Sequence, residues 1–407
     1  MTQPSGKNVL SLFSGAGGDT AGLEAAGWKV THFSEFYDIA TKTHLQAFPH
    51  SKLLKGEEDS TDIKKIPDAT FEQLRGQIDL IFAGFPCQGF SHAGKKKAED
   101  PRNELVHQFV RATRLIQPTW IVGENVKGLL ARKGVYPVGT APRPVIDIIR
   151  DIFEAIGYKI TYRVIDATEV GVPQLRKRLI IVGHKGDRYP HVPWKQLEKP
   201  ETPPTIRSLL SSTLEGAVEL PALYKPKDQP TRFWIQTKEK TPTGTPHSNL
   251  VRLVAGIRNL SKKELVAQGK GEKERIPITE PNGLISFGSR SGGYHGQVLD
   301  PDAPSKTIIC AYIQCPRLFV GLHNPVTKKY WVRCLTAKEC GQIQGFSASY
   351  PWQGTEKEQI HQIGNAVPPP LATKIASLLP KTIFVSTPQK IMAQTQIQSD
   401  DSEEEED

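Results

Sequence analysis

In the stretch DLIFAGFPCQGFS, residues 79–91, a single cysteine follows a four-residue apolar run that is broken by Gly84 and Pro86. The run Leu80–Ala83 predicts a short buried strand, which glycine and proline end, so Cys87 is expected on a loop at its carboxyl end. Ligands of open α/β sheets gather at those ends, and an ionised thiol there is a nucleophile. A lone cysteine is as readily a small buried residue, so chemistry at Cys87 needs support from other stretches. Glu124 follows a second apolar run, Trp120–Gly123, and would face the same cleft from a neighbouring strand end. Arg176 and Arg178, in QLRKR (174–178), alternate onto one face of an extended segment. Two guanidiniums side by side would suit an anionic or carbonyl-rich ligand. A solvated or capping acid and surface salt bridges are the structural alternatives for these three.

The surrounding pattern supplies elements to position such residues. Asn8–Phe13 predicts a first strand, SGAGGD (14–19) a glycine-rich loop, and Thr20–Ala26 an amphipathic helix. Strand, loop, helix is the opening of a nucleotide-binding α/β unit. The loop is neither G-x-G-x-x-G nor a Walker loop, so pyrophosphate is not its obvious ligand. Gly15, Gly17 and Gly18 would let a ligand lie against the backbone. Trp28–Phe33 predicts the second strand, with Glu35 and Phe36 just past it, where an acid commonly holds a ribose diol. A helix-capping acid is the alternative. Tyr37–Phe48 predicts a helix, and Asp62-Ile63 a further edge for an adenine. Helices are also predicted over Leu105–Ile116 and Ile146–Ile156, and strands over Tyr158–Ile165 and Leu179–Val182. The fold class expected is α/β, with a mostly parallel sheet.

The 407 residues have room for two units. Residues 1–188 read as a catalytic, cofactor-binding domain and 189–329, rich in Pro, Thr, Lys and Gly, as a smaller loop-rich domain. Regularity returns over residues 330–385, with Thr336 and Glu339 at capping-box spacing. Residues 386–407 read as a disordered acidic tail, in which Ser399 and Ser402 resemble casein-kinase sites. Net charge is +9, but the tail's last eight residues hold seven acids, so residues 1–399 carry 52 bases against 36 acids, or +16. A body that basic favours a polyanion such as nucleic acid. Lys95, Lys96 and Lys97 form a basic loop after Cys87, and Arg290 lies in a second polar loop, GSRSGGYHG (288–296). No apolar run approaches the roughly 20 residues of a membrane span, and the first eight residues lack a signal peptide's apolar stretch. A protein neither secreted nor in a membrane is expected. Cys310, Cys315, Cys334 and Cys340 are spaced poorly for zinc, so no metal is expected.

The ordered set LFSGAGG (12–18), SEF (34–36), GFPCQGFS (84–91), ENV (124–126), QLRKR (174–178), RCLTAKE (333–339), QGF (344–346) and GNAVPP (364–369) resembles the DNA (cytosine-5)-methyltransferase family. The resemblance covers nearly the whole catalytic unit; residues 189–325 fall where that family keeps its variable target-recognition domain. It implies a Rossmann-like, S-adenosylmethionine-dependent methyltransferase domain whose last helix returns beside the first strand, so that residues 330–385 form a return segment completing the first domain. Catalytic roles are implied for Cys87 as nucleophile, Glu124 as acid, and Arg176 and Arg178 as supports of the base and pocket. Cofactor contacts are implied for Phe13, Gly15, Gly17, Glu35, Phe36, Asp62, Ile63, Leu105 and Asn365. DNA contacts are expected from Gln88, Ser91, Lys95, Lys96, Lys97 and Arg290.

The expected reaction adds a thiolate to carbon 6 of cytosine, which makes carbon 5 enamine-like. Glu124 would relieve charge at ring nitrogen 3, and the base must leave the duplex to be reached. The expected partner is double-stranded DNA, the expected state a monomer, and a cognate restriction endonuclease is a candidate partner. The expected place is the cytoplasm if the source is bacterial, and the nucleus or a viral factory otherwise. Two alternatives stay open: a non-catalytic DNA-binding protein on the same scaffold, and a transfer RNA methyltransferase, whose C-F-T element is not found here.

Overall fold

The computed structural model describes residues 7–86, 104–135, 141–187, 189–197, 199–220, 234–246, 257–258, 276–277, 297–313, 318–379 and 383–385. Cys87, Gln88, Ser91, Lys95, Lys96, Lys97, Arg290, Cys315 and the acidic tail lie outside them. The chain divides into two compact units. One takes Met1–Val170, Lys177–Lys199 and Ala366–Asp407, the other Gly171–Arg176 and Pro200–Asn365.

The first unit opens as its sequence predicts, with β1 (Asn8–Leu12), α1 (Gly18–Ala25), β2 (Lys29–Ser34) and α2 (Asp38–Ala47); a two-residue strand that the sequence does not announce, β3 (Lys52–Leu53), follows. It continues with α3 (Asp68–Glu72), β4 (Leu80–Ala83), α4 (Glu104–Ile116), β5 (Trp120–Val126), α5 (Val145–Glu154), β6 (Tyr158–Asp166) and β7 (Lys177–Lys185). The seven strands form one sheet in the order β3-β2-β1-β4-β5-β7-β6. The first five are parallel, and β7 runs antiparallel to both β5 and β6. Strand order reverses between β1 and β4, the kind of switch point at which open α/β sheets bind ligands.

Alternation along the strands decides the layers. Leu10, Leu12, Ile81, Ala83, Ile121, Leu179 and Ile181 join Val106, Phe109 and Ala112 of α4 and Ile146, Ile149 and Phe153 of α5 in one core. The intervening Val9, Leu80, Phe82, Val122, Ile180 and Val182 are buried as well. Burial on both faces is why these strands read as unbroken apolar runs.

The last helix, α8 (Pro369–Leu378), packs on α1 rather than directly on β1. The crossing is close: a Cβ on Gly22 would lie 2.6 Å from Ala372 Cβ and nearer still to the Pro369 carbonyl oxygen. Trp28 Nε1 donates to the Ala376 carbonyl at 3.3 Å. Two short strands, Tyr189–His191 and Ile383–Val385, pair antiparallel in the same unit.

The second unit is built on a sheet ordered Val218–Glu219, Lys329–Cys334, Leu318–Asn324, Trp234–Gln236, with Gln297–Val298 also pairing to Leu318–Asn324. Leu318, Val320 and Leu322 point into a core with Trp331, Tyr312, Ile343 and Ile363, while Phe319 points to a smaller cluster with Leu220, Trp234 and Val332. Helices α6 (Ala337–Ile343) and α7 (Glu356–Asn365) complete it. The capping box read from the sequence is present at the start of α6: Thr336 Oγ1 accepts from Glu339 N, and Glu339 Oε2 accepts from Thr336 N. Glu339 also takes a two-pronged ion pair from Arg333, at 2.7 and 2.8 Å, with side chains 3% and 2% exposed. Arg333 spends its remaining donors on the carbonyls of Ser211, Thr213 and Cys334. Satisfied on all sides, a buried pair is tolerated; with one partner removed, the stranded charge costs about 3–5 kcal/mol. Glu339→Ala is therefore expected to lower unfolding free energy by about that amount, read as an earlier denaturation midpoint.

Candidate active site

Loops leave the carboxyl ends of β1, β2 and β4 with candidate residues on them, and β5 carries one near its own end, Glu124. At β1 the chain turns through Phe13 (φ 56°), Gly15 (φ 57°) and Gly17 (φ 86°). A non-glycine residue in the left-handed region is costly, so Phe13 must be held. Its N–H donates to Ser34 Oγ at 3.3 Å, and the next residue, Ser14, donates its N–H to the Ser34 carbonyl at 3.1 Å. Space beside Gly15 is open: a Cβ there would meet no atom within 4 Å.

Glu35 stands at the end of β2 with both carboxyl oxygens engaged. Oε2 accepts from Gly15 N and Oε1 from Tyr37 N, each at 2.7 Å. Burial pushes this carboxyl above its ordinary value, and the backbone N–H groups of Tyr37, Gly15 and Phe36 pull the other way. An ionised carboxylate has about four acceptor positions, more than these N–H groups fill, so it keeps acceptor capacity for a ligand. Phe36 beside it is 74% exposed, an unusual place for a large aromatic side chain.

Asp62 caps a single turn, accepting from Lys64 N at 3.0 Å, and the Ile63 side chain is buried in the core. Leu105 packs partly buried against that core. Arg111 of α4 ties the 63–66 segment down, donating to the carbonyls of Ile63 and Ile66 at 2.8 and 3.0 Å and pairing with Asp68 at 3.3 Å.

The sequence places Glu124 past the end of its strand; in the structure β5 runs on through Val126, so Glu124 lies inside it. Glu124 is buried, and Arg178 Nε reaches its Oε1 at 2.8 Å, both side chains 11% exposed. The carboxyl thus has a cationic partner. Its other oxygen lies beside Gly84: a Cβ there would be 4.0 Å from Glu124 Oε2 and 3.7 Å from Val367 Cγ2. Asn125 Nδ2 donates to the Phe85 carbonyl at 2.9 Å, pinning the residue two before Cys87 to β5. Asn125 stands in the ENV motif, but nothing in its sequence context announces a loop anchor.

Arg176 and Arg178 are given different surroundings. The extended segment inferred from alternation is two strands, Gln174–Leu175 and β7, with Arg176 between them. Arg178 pairs with Glu124 in the first unit. Arg176, 2% exposed, belongs to the second, where it donates to the carbonyls of Ile308 and Gly364 at 3.3 and 3.0 Å. Gln174 assists it there, donating to Gln344 Oε1 at 2.7 Å and accepting from Ile308 N at 3.2 Å. Asn365, also of the second unit, is exposed, with Nδ2 3.1 Å from His361 Nε2.

Cys340 is buried and Cys310 and Cys334 partly so, all three as free thiols. Burial pushes the Cys334 thiol up to about 12 and the Cys340 thiol well above its ordinary value, which suits packing and not reaction. Among the described residues no group of side chains could hold a metal ion, and no helix is long and apolar enough to cross a membrane.

Known proteins resemble the chain as a whole. The chain is similar to the type II methyltransferase M.PspPI of Psychrobacter sp., 31% identical over 391 residues that cover 93% of this chain and 81% of the relative. It is similar to M.DdeI of Desulfomicrobium norvegicum, 28% identical over 395 residues, covering 91% and 87%. Among solved structures, a putative DNA modification methyltransferase encoded within an Escherichia coli prophage shares 24% identity at a TM-score of 0.55, covering 92% of this chain and 98% of the other. DNMT2 of Spodoptera frugiperda shares 16% at a TM-score of 0.58, covering 91% and 99%. These two likenesses show the Rossmann-like methyltransferase fold. The model of the C-5 cytosine-specific DNA methylases matches residues 7–381, and the chain belongs to that family, as a DNA (cytosine-5-)-methyltransferase.

Proposed function

We propose that this enzyme methylates carbon 5 of a cytosine flipped out of duplex DNA at a specific sequence, through a reversible bond between Cys87 and carbon 6. The observation that carries the reading is the placement of Glu124. Its carboxyl is buried, fixed by Arg178 at 2.8 Å, and turned toward Gly84. Two residues separate Gly84 from Cys87, and three residues of chain reach at most about 11 Å. A buried carboxyl beside Gly84, three positions before Cys87, supports pairing Glu124 with the cysteine whose sequence setting is a strand-end loop.

S-adenosylmethionine fits the chain's first two loops. It carries no phosphate, which agrees with a glycine turn that is not a phosphate loop. The open space at Gly15, the spare acceptors of Glu35 and the exposed face of Phe36 suit a backbone-hugging chain, a ribose and an adenine. Asp62, Ile63, Leu105 and Asn365 complete the proposed set. When bound, the cofactor supplies an electrophilic methyl group on a sulfonium.

The chain's own groups do the rest. The Cys87 thiolate adds to carbon 6, and the electron pair displaced from the 5,6 double bond enriches carbon 5. Glu124 in its protonated form donates to ring nitrogen 3, where the negative charge of the adduct collects, so the proton moves toward the nitrogen as the sulfur–carbon bond forms. Arg178 fixes Glu124, and Arg176 orders the 305–308 and 364 segments of its own unit. Once carbon 5 carries the methyl group, loss of its proton re-forms the 5,6 double bond, and the bond to sulfur breaks to release the Cys87 thiolate. Extruding the base costs a few kcal/mol, which Gln88, Ser91 and Lys95, Lys96 and Lys97 are proposed to offset by contacts with the opened duplex. Residues 189–329, with Arg290, are proposed to read the target sequence, and residues 1–188 with 330–385 to carry the reaction. The bacterial type II relatives favour modification of DNA alongside a cognate nuclease.

Incubation with labelled S-adenosylmethionine should label duplex DNA and leave transfer RNA unlabelled; label on transfer RNA alone would contradict the reading. Cys87→Ser should abolish transfer while DNA affinity stays within about twofold, so a binding-only protein, indifferent to the substitution, is distinguished from an enzyme. Glu124→Gln removes charge at one oxygen, and kcat should fall by about a hundredfold or more, with cofactor affinity little changed. A Glu124→Gln enzyme of normal kcat would remove the carboxyl from the mechanism.

A further inference from the structure

Beneath the glycine-rich loop lies a buried polar cluster that the proposed reaction does not use. Asp19, in the first turn of α1, is 2% exposed and accepts hydrogen bonds from Ser11 Oγ and, at 3.1 Å, from Ser14 Oγ. Ser14 Oγ also lies 3.1 Å from His44 Nδ1 and 3.4 Å from Thr20 Oγ1. His44 of α2 is fully buried and stacked on Phe33 of β2, ring centroids 3.7 Å apart and planes 6° from parallel.

Counting protons orders the cluster. Burial pushes Asp19 up to about 6, against the hydrogen bonds it accepts, so near neutral pH it is a carboxylate and can only accept. Ser14 has one hydroxyl proton, and Asp19 takes it. Ser14 must then accept from His44, which places the imidazole proton on Nδ1. Burial holds His44 down at about 3, so the ring is neutral. Its Nε2 is buried without a hydrogen-bond partner among the described residues. An imidazole that only filled space could expose that nitrogen or be replaced by carbon. Its Nδ1–H is the feature with a partner.

We propose that Asp19, Ser14 and His44 are positioning residues for S-adenosylmethionine, a relay that locks the turn after β1 to the turn after β2. This rests on the cofactor site proposed above. The relay runs from α1 through the loop to α2, and so brackets the strained Phe13 and the rung between Gly15 N and Glu35 at 2.7 Å. Those two loops supply Phe13, Gly15, Gly17, Glu35 and Phe36. Ser14 is fixed twice, by its N–H on the Ser34 carbonyl and by its hydroxyl on Asp19 and His44. Without the hydroxyl, a buried carboxylate and an imidazole N–H each lose a partner, and the turn is the part free to move.

The test is equilibrium binding of S-adenosylmethionine and S-adenosylhomocysteine to the full-length protein by calorimetry, beside DNA affinity and thermal unfolding. Ser14→Ala, which changes little volume, should bind the cofactor about tenfold more weakly with DNA affinity unchanged. His44→Leu should lose about as much, and His44→Asn, whose amide can place a donor near Nδ1, should recover to within about threefold of the unmodified protein. Ser14→Ala that melts earlier but binds the cofactor normally would overturn the relay and leave only packing. Equal losses in His44→Leu and His44→Asn would overturn the donor role. Failure of the unmodified protein to bind either compound would overturn the cofactor site itself and the relay with it.

Discussion

The ion pair between Glu124 and Arg178 depends on a reversal in the sheet. β7 runs antiparallel to β5, with Arg178 opposite Val126 and Ile180 opposite Glu124. Its first residues therefore lie beside the carboxyl end of β5. Were β7 parallel, the same arginine would sit at the opposite edge of the sheet, away from every loop that carries a candidate residue. Diagonal neighbours on one face of an antiparallel pair are within reach of long side chains, and here the guanidinium closes on the carboxyl at 2.8 Å. The pair is buried, so desolvation is an expense that packing alone would not incur. Its retention is explained by what it fixes: a carboxyl held still beside Gly84.

The rest of the site is arranged by the same sheet. The glycine turn after β1, the acid after β2, the Phe85-Pro86 step after β4 and Asn125 of β5 all emerge at one edge because β1, β2, β4 and β5 are parallel. Hydrogen bonds bind them to one another: the main-chain Gly84 N on the Leu12 carbonyl and Ser14 N on the Ser34 carbonyl, and the Asn125 side-chain amide on the Phe85 carbonyl. The loops are thus braced by their neighbours more than by their own sequence.

Much of the first unit was legible. Leu80–Ala83 has the expected bounds, because glycine and proline interrupt it and buried parallel strands need apolar residues on both faces. The end of β5 was not legible: apolar character stops before Glu124, but the ladder continues through backbone groups that are indifferent to side-chain polarity. The separation of Arg176 from Arg178 was hidden for a related reason, since alternation assumes one strand and the chain here passes between two. The second unit's strands of two or three residues are too short to show a period. The cluster of Asp19, Ser14 and His44 joins residues 5 and 30 apart across three elements, which no local pattern encodes.

The measurement that tests the central claim most directly is the search for the covalent adduct. A duplex of randomised sequence in which 5-fluorocytosine replaces cytosine presents a carbon 5 whose fluorine cannot leave as a proton does, so an adduct that has gained the methyl is trapped. Incubated with S-adenosylmethionine, the protein should form a denaturation-resistant one-to-one complex, and peptide mass analysis should place the modified base on Cys87. A complex joined through another residue, or none from a protein that methylates ordinary duplex DNA, would contradict the account.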